Sequence, residues 1–328
     1  MNNVVDIVLA TYGEPSRNSF FEQWVYSNRI LNRITRRVAP IPSFAVPLIG
    51  AYRAWRRTRE WAEARYVSPM EAITEKQRIA LADSLSNLEP NKKWRVHIGY
   101  QFRTPSLLEQ LQQICQKNSG SVLLIPMYTP RSDFTSGLCT EDINTFTADD
   151  TARNIQVKII HLADNAEKLA DVMASFVKTE LLKRGHDLDR SDGKGLILSA
   201  HGTILTPIKG LQETGYKDTV DLWALLKEQL AVHFEQTSIG WLNHRKGGEW
   251  TPPSLEEAIA QMKAGGINDF VYFPFGFVAD NEETVLTGRL VFENLGIAGY
   301  THLPCVNDDR EFIRFLAEKV VEECKSNI

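Results

Sequence analysis

The chain has 328 residues, 43% of them hydrophobic and 24% charged, the make-up of a folded protein long enough for two α/β units with full cores. A net charge of −4 gives no electrostatic footprint for nucleic acid, no nucleic-acid motif is present, and no run of about 18 apolar residues exists to cross a membrane. Cys115, Cys139, Cys305 and Cys324 show no CxxC spacing, which argues against a zinc ribbon or a disulfide scaffold and fits a reducing compartment.

The N-terminus, Met1 to Asp6, has no basic segment and enters a strand at once, so no secretory leader is expected and the expected location is the cytoplasm. Residues 4–10 predict a strand that stops at Thr11-Tyr-Gly-Glu-Pro15. Residues 16–34 predict a helix. From Arg36 to Arg59 three prolines and a run of apolar residues precede aromatics interleaved with Arg53, Arg56, Arg57 and Arg59. The plain reading is a partly helical insertion with solvated arginines. The functional reading is a lip over a large, flat, apolar ligand with acidic substituents, since guanidinium forks suit carboxylates and aromatic faces suit a planar ring. Shallow contact with a membrane surface is a third reading of the same residues.

Further on, the pattern predicts helix over 68–88, strand over 94–100, and helix over 104–117 with Thr104 as its N-cap before Pro105. Strand 121–126, a polar loop and a short helix, strand 155–161 and helix 166–183 come next. The polar run 184–193 marks a boundary between an N-terminal α/β domain, residues 1–185 with the lip at about 36–60, and a C-terminal one, residues 186–328. The second part repeats the scheme: strand 195–200, helix 217–232, strand 236–242, helix 254–263, strand 268–274, helix from about 281, a short strand at 300–303 and a closing helix 309–325. Such alternation calls for two similar domains, each a roughly four-stranded parallel sheet flanked by helices, with a cleft between them. Ile7-Val-Leu-Ala-Thr-Tyr-Gly13 and Ile197-Leu-Ser-Ala-His-Gly202 share one grammar, as a duplicated unit would.

Chemistry is expected at two strand ends. Leu196-Ile-Leu-Ser-Ala-His-Gly-Thr203 ends in His201, where open α/β sheets place their ligands; a satisfied structural histidine is the bland alternative. Val271 to Phe277 empties into Asp280, Glu282 and Glu283 at the start of a helix, where acids are also simply favourable by the helix dipole. An imidazole and a carboxylate cluster on opposed strand ends make a two-sided site. There is no GxGxxG after the first strand, no Walker A sequence, no HExxH and no GxSxG, so dinucleotide, phosphoryl-transfer, zinc-peptidase and serine-hydrolase chemistry have no foothold.

Together the turns resemble those of the ferrochelatase family. Leu198-Ser-Ala-His-Gly202 resembles its active-site histidine strand, and Pro274-Phe-Gly-Phe-Val-Ala-Asp-Asn-Glu-Glu-Thr284 its P-x-GF-x-SD-H-x-ET segment, which places Glu283 on the catalytic glutamate. Tyr66-Val-Ser-Pro-Met-Glu-Ala-Ile-Thr74 is similar to its GGSPL…T segment, and Leu303-Pro-Cys-Val-Asn-Asp-Asp309 to its PCLND turn. Trp241-Leu-Asn-His-Arg245 with Trp250 and Pro252 resembles YQSR…G…W…P, and Ala10-Thr-Tyr-Gly-Glu-Pro15 the opening AYGTP-type turn. These stretches keep the family's order across roughly residues 5–320.

The resemblance implies a chelatase-like pair of Rossmann-like domains and the insertion of Fe(II) into protoporphyrin IX or coproporphyrin III, with iron as substrate and no prosthetic group. It implies His201 and Glu283 as the catalytic, metal-handling pair, and Tyr12, Arg53, Arg56, Arg57, Ser68 and Trp250 as porphyrin-binding residues. With Cys324 alone near the C-terminus, a [2Fe–2S] cluster is not expected. The chain departs from the family at Asn281, where His is usual, at Thr287, Arg289 and Val291, which replace an acidic ladder, and at Gln101-Phe102. Glu282 could compensate for the ladder. These departures keep two other readings open: a paralogue that carries or senses porphyrin or haem without inserting metal, and a chelatase for another metal or tetrapyrrole.

Overall fold

The computed structural model describes residues 4–39, 41–117, 121–149, 155–206, 208, 210–243, 248–297 and 299–326. The first part holds β1 (Val4–Thr11), α1 (Phe20–Ile30), α2 (Arg36–Val38), α3 (Val46–Glu63), α4 (Met70–Leu88), β2 (Lys93–Tyr100), α5 (Leu107–Cys115), β3 (Ser121–Pro126), α6 (Ser136–Thr147), β4 (Gln156–Ile159) and α7 (Ala166–Lys183). The second holds β5 (Lys194–His201), α8 (Tyr216–Leu230), β6 (Gln236–Leu242), α9 (Leu255–Ala264), β7 (Asp269–Phe273), α10 (Gly288–Asn294), β8 (Tyr300–His302) and α11 (Arg310–Ser326).

Each part forms one four-stranded sheet, in the orders β2-β1-β3-β4 and β6-β5-β7-β8, with every pairing parallel. The two orders are the same, so the repeated strand grammar corresponds to a repeated topology. In this order the crevice falls where connections leave a strand in opposite directions, between β1 and β3 and between β5 and β7. Period-2 alternation divides the core: Ile7 and Leu9 of β1 face one layer while Val8 and Ala10 face another, with α5 and α6. The largest core runs from β1 through Met173 and Val177 of α7 and Phe312 and Leu316 of α11 to Leu196 and Leu198 of β5. The closing helix α11 packs on both α4 and α7, so the last element of the chain returns to the first sheet's helices.

Local chemistry moved several boundaries. Ser106, not Thr104, caps α5, because its side chain accepts the Glu109 N–H while the Glu109 carboxylate accepts the Ser106 N–H. The insertion is more helical than its prolines predict: Pro47 sits in the first turn of α3, where no N–H is required. Gly50 of α3 packs against α1 so closely that a Cβ would lie 2.3 Å from Asn28 Oδ1, which fixes glycine there. Two stretches, Leu31–Thr35 after α1 and Glu282–Thr287 before α10, are wound as π-helix.

Candidate active site

β5 delivers His201 to the carboxyl edge of the second sheet, and its imidazole is 53% exposed. Its neighbour β7 leaves the sheet through a loop tied down by Asp280, whose carboxylate accepts the Cys305 N–H and the Asn307 Nδ2–H, each at 2.8 Å. Asn281 is buried and caps the next turn: its Oδ1 accepts the N–H of Glu283 at 2.9 Å and that of Thr284 at 3.3 Å. Asn281 is thus a good N-cap. The π-wound turn then swings Glu283 back over the sheet, and its Oε2 lies 2.7 Å from His201 Nδ1. Extra-wide turns of this kind are frequent at functional sites. The two side chains were expected on opposed strand ends; they stand instead side by side at the β5/β7 switch point.

Beneath them, Ser199 donates to the buried Tyr272 hydroxyl at 2.8 Å. A Cβ on Gly288 would come within 2.6 Å of that hydroxyl, so the first residue of α10 must be glycine for the helix to settle over β7.

Tyr12 follows β1 at the corresponding switch point of the first sheet. Its ring stacks on Phe102 with centroids 5.2 Å apart and meets the edge of Tyr128 at 5.0 Å, while its hydroxyl donates to the Phe134 carbonyl at 2.8 Å. Burial, and then the charge of Glu283, push the phenol well above its ordinary value. Tyr12 is therefore a neutral phenol in an aromatic cage, within the field of the carboxylate that pairs with His201.

A second polar cluster lies behind Glu283. The buried Glu14 carboxylate accepts the Ser68 hydroxyl at 2.6 Å and the Glu282 N–H at 3.1 and 3.2 Å to its two oxygens. The Glu282 side chain turns away from the cleft to Arg57 Nη1 at 2.5 Å and accepts the Trp61 indole N–H at 2.9 Å. Arg57 also donates to Gln23 and stacks against Tyr26 and Trp61. Burial and repulsion from Glu282 push the Glu14 carboxyl up to about 7, against the lowering pull of Ser68 and Arg57. Two carboxylates share one guanidinium in this pocket.

The expected site residues thus divide. His201, Glu283 and Tyr12 converge. Arg57 is committed to Glu282 and Ser68 to Glu14. Arg56 is half-exposed and pairs with Glu60 at 3.2 Å, Arg53 lies half-buried on the same helix, and Trp250 pairs by backbone with Ile204. His244 and Arg245 lie outside the described residues. Glu282 was expected to compensate for the missing acidic ladder, but Arg57 and Trp61 already hold its carboxylate. Arg289, the cation in that ladder, lies 3.5 Å from Glu293 and donates to the Ala64 carbonyl at 3.4 Å. Glu14 was not singled out by sequence: an acid in a Gly-Glu-Pro turn carries no mark of a partner 268 residues away. Among the described residues no group of three or more His, Cys, Asp or Glu side chains is arranged to hold a metal. His201 and Glu283 offer two donors.

A family model described as Ferrochelatase matches residues 5–324. The ferrochelatase of Synechocystis sp. is 25% identical over 97% of this chain and 82% of its own length. The chloroplastic ferrochelatase-2 of Cucumis sativus is 23% identical over 99% of this chain, which spans only 64% of that relative. Among solved structures, SirB from Bacillus subtilis with Fe3+ superposes with a TM-score of 0.51 at 10% identity, covering 75% of this chain and 88% of that one, a likeness of fold alone.

Proposed function

The chain belongs to the ferrochelatase family, and on that premise we propose that it is a metal-inserting lyase that places Fe(II) in a porphyrin, protoporphyrin IX or coproporphyrin III, during haem biosynthesis. The observation that carries the proposal is the 2.7 Å contact between His201 Nδ1 and Glu283 Oε2 at the switch point of the second sheet.

Fe(II) can replace the two inner N–H protons of a porphyrin only if a base takes them. An ionised Glu283 can only accept, so Nδ1 of a neutral His201 carries the hydrogen of their shared bond. The lone pair then lies on Nε2, the nitrogen turned from Glu283. Nε2 would take the two pyrrole protons in turn and release the first to solvent before the second, and Glu283 stabilises the imidazolium formed each time. Two donors, rather than a closed set, suit an ion that is passed on as substrate.

Tyr12, Phe102 and Tyr128 supply aromatic surface for a flat macrocycle, and a ring strained toward a saddle would turn its nitrogen lone pairs outward. Phe44, in the turn before α3, and Leu48, Tyr52 and Trp55 of α3 are exposed apolar residues, from 79% exposed at Phe44 to 49% at Trp55. We assign this lip to the apolar edge of the porphyrin and, at its outer end, to peripheral contact with a lipid surface. Arg53, Arg56 and Trp250 remain the candidates for the ring's carboxylates and face. No helix of the described residues is long and apolar enough to cross a membrane.

Anaerobic incubation with Fe(II) and each porphyrin, followed by visible spectra, tests the reading. Metallation supports it; a shifted Soret band without metallation identifies a carrier instead, with Asn281 and Arg289 as the first residues to examine.

A further inference from the structure

The cluster behind Glu283 joins the two parts of the molecule. Glu14 comes from the turn after β1 and Arg57 and Trp61 from α3, and these three converge on Glu282, the first residue of the turn that carries Glu283, while Ser68, from the approach to α4, donates to Glu14. Glu282 is held twice. Its N–H, one of the orphan donors of a helix start, is accepted by Glu14; its carboxylate is fixed by Arg57 and Trp61. The next two N–H groups, of Glu283 and Thr284, are accepted by Asn281 within the turn itself. Of these three N–H groups, two are thus capped by the turn's own residue and one by the other part of the chain.

This arrangement is costly for stability. Two carboxylates with one guanidinium in a buried pocket repel one another, and an apolar or hydroxyl residue at position 14 would avoid the repulsion. What Glu14 gains is position: an acceptor at the N–H of the residue adjacent to Glu283. Resting on the reading of Glu283 as the carboxylate partner of His201, we propose that Glu14 is a positioning residue, which caps the Glu282–Thr287 turn from the opposite part of the molecule and so sets the Glu283 carboxylate on His201.

The test uses Glu14→Ala, Glu14→Gln and Glu14→Asp in the full chain. Gln keeps an oxygen that can accept from Glu282 and Ser68; Ala keeps none. Two readouts are taken: kcat and porphyrin KM for iron insertion, and the ring nitrogens of His201 by 15N-imidazole NMR, assigned with His201→Gln. Glu14→Ala is expected to lower kcat about tenfold or more with KM within about twofold, the scale of lost support behind a reacting group. The His201 Nδ1 signal should lose its hydrogen-bonded shift and match that in Glu283→Ala, which has no acceptor, and Glu14→Gln should restore both readouts. A wild-type His201 signal in Glu14→Ala, or a Gln variant as impaired as Ala, overturns the inference. Should Glu14→Ala not fold, Glu14→Asp, with its carboxylate drawn back by one methylene, is read in its place against the same two outcomes. The NMR readout needs neither metal nor turnover, so a wild-type protein that inserts no iron would defeat the chelatase reading while the positioning inference is still decided at His201.

Discussion

Arg57 Nη1 and Glu282 Oε2 lie 2.5 Å apart, with only 14% of each side chain exposed. The pair fastens α3, which carries the exposed lip, to the turn that carries Glu283. Removing one partner of a buried pair leaves the other charge uncompensated. Arg57→Met should therefore lose about 3 kcal/mol in urea unfolding. Its porphyrin affinity, by Soret titration, should change little. A tenfold loss of porphyrin affinity with unchanged stability would return Arg57 to the role of a carboxylate-binding residue.

Glu14 makes stability depend on pH. Its carboxyl is pushed up to about 7 by burial and by Glu282, whereas in the unfolded chain it titrates near about 4.3. Between these values the folded state binds more protons than the unfolded state, so stability falls as pH rises through that window and is level above it. The favourable contribution is complete below about 4.3 and gone above about 7. Glu14→Gln carries no charge at any pH. It should melt above wild type at pH 8 and close to it at pH 5, by parallel thermal scans, and a gain of equal size at both would contradict the assignment.

Asn281 caps the turn through two backbone N–H groups. Asn281→Ala should cost about 1 kcal/mol of stability, as lost N-caps do. Because the same turn presents Glu283, iron insertion should fall more than porphyrin binding does. Unfolding curves and steady-state kinetics on one preparation check both parts; unchanged kcat would detach the cap from catalysis.

The strand ends were legible because an apolar run that stops in a polar turn is a local pattern; His201 sits at such a stop, and Glu283 in the helical turn that follows another. The shared topology was legible for the same reason: Ile7 to Gly13 and Ile197 to Gly202 repeat it. Side-by-side placement was not, since strand order β6-β5-β7-β8 is set by packing between elements, and no stretch of sequence encodes it. The π-wound turn depends on which N–H groups Asn281 and Glu14 accept, and Glu14 is remote in sequence from the donor it serves. Arg57 shows the sharper limit. A guanidinium among aromatics reads equally well as a ligand-binding group or as the partner of a buried acid, and only the position of Glu282 decides between them.

The lip gives a prediction at the surface. Leu48 and Tyr52 are 71% and 61% exposed, so replacing them touches no core. Leu48→Glu with Tyr52→Glu should change stability by no more than about 0.5 kcal/mol per site. It should weaken sedimentation with anionic vesicles, since it removes apolar contact and adds like charge. Undiminished vesicle binding would place any lipid contact elsewhere.

The most direct measurement is anaerobic turnover with Fe(II) and each porphyrin, for wild type and His201→Ala, with porphyrin binding titrated in parallel. The account predicts metallation by the wild type, a loss of at least about 10²-fold in kcat for the variant, the usual worth of a positioned base, and retained porphyrin binding in both. A His201→Ala protein that inserts iron at the wild-type rate, or a wild type that binds porphyrin and inserts none, would contradict it.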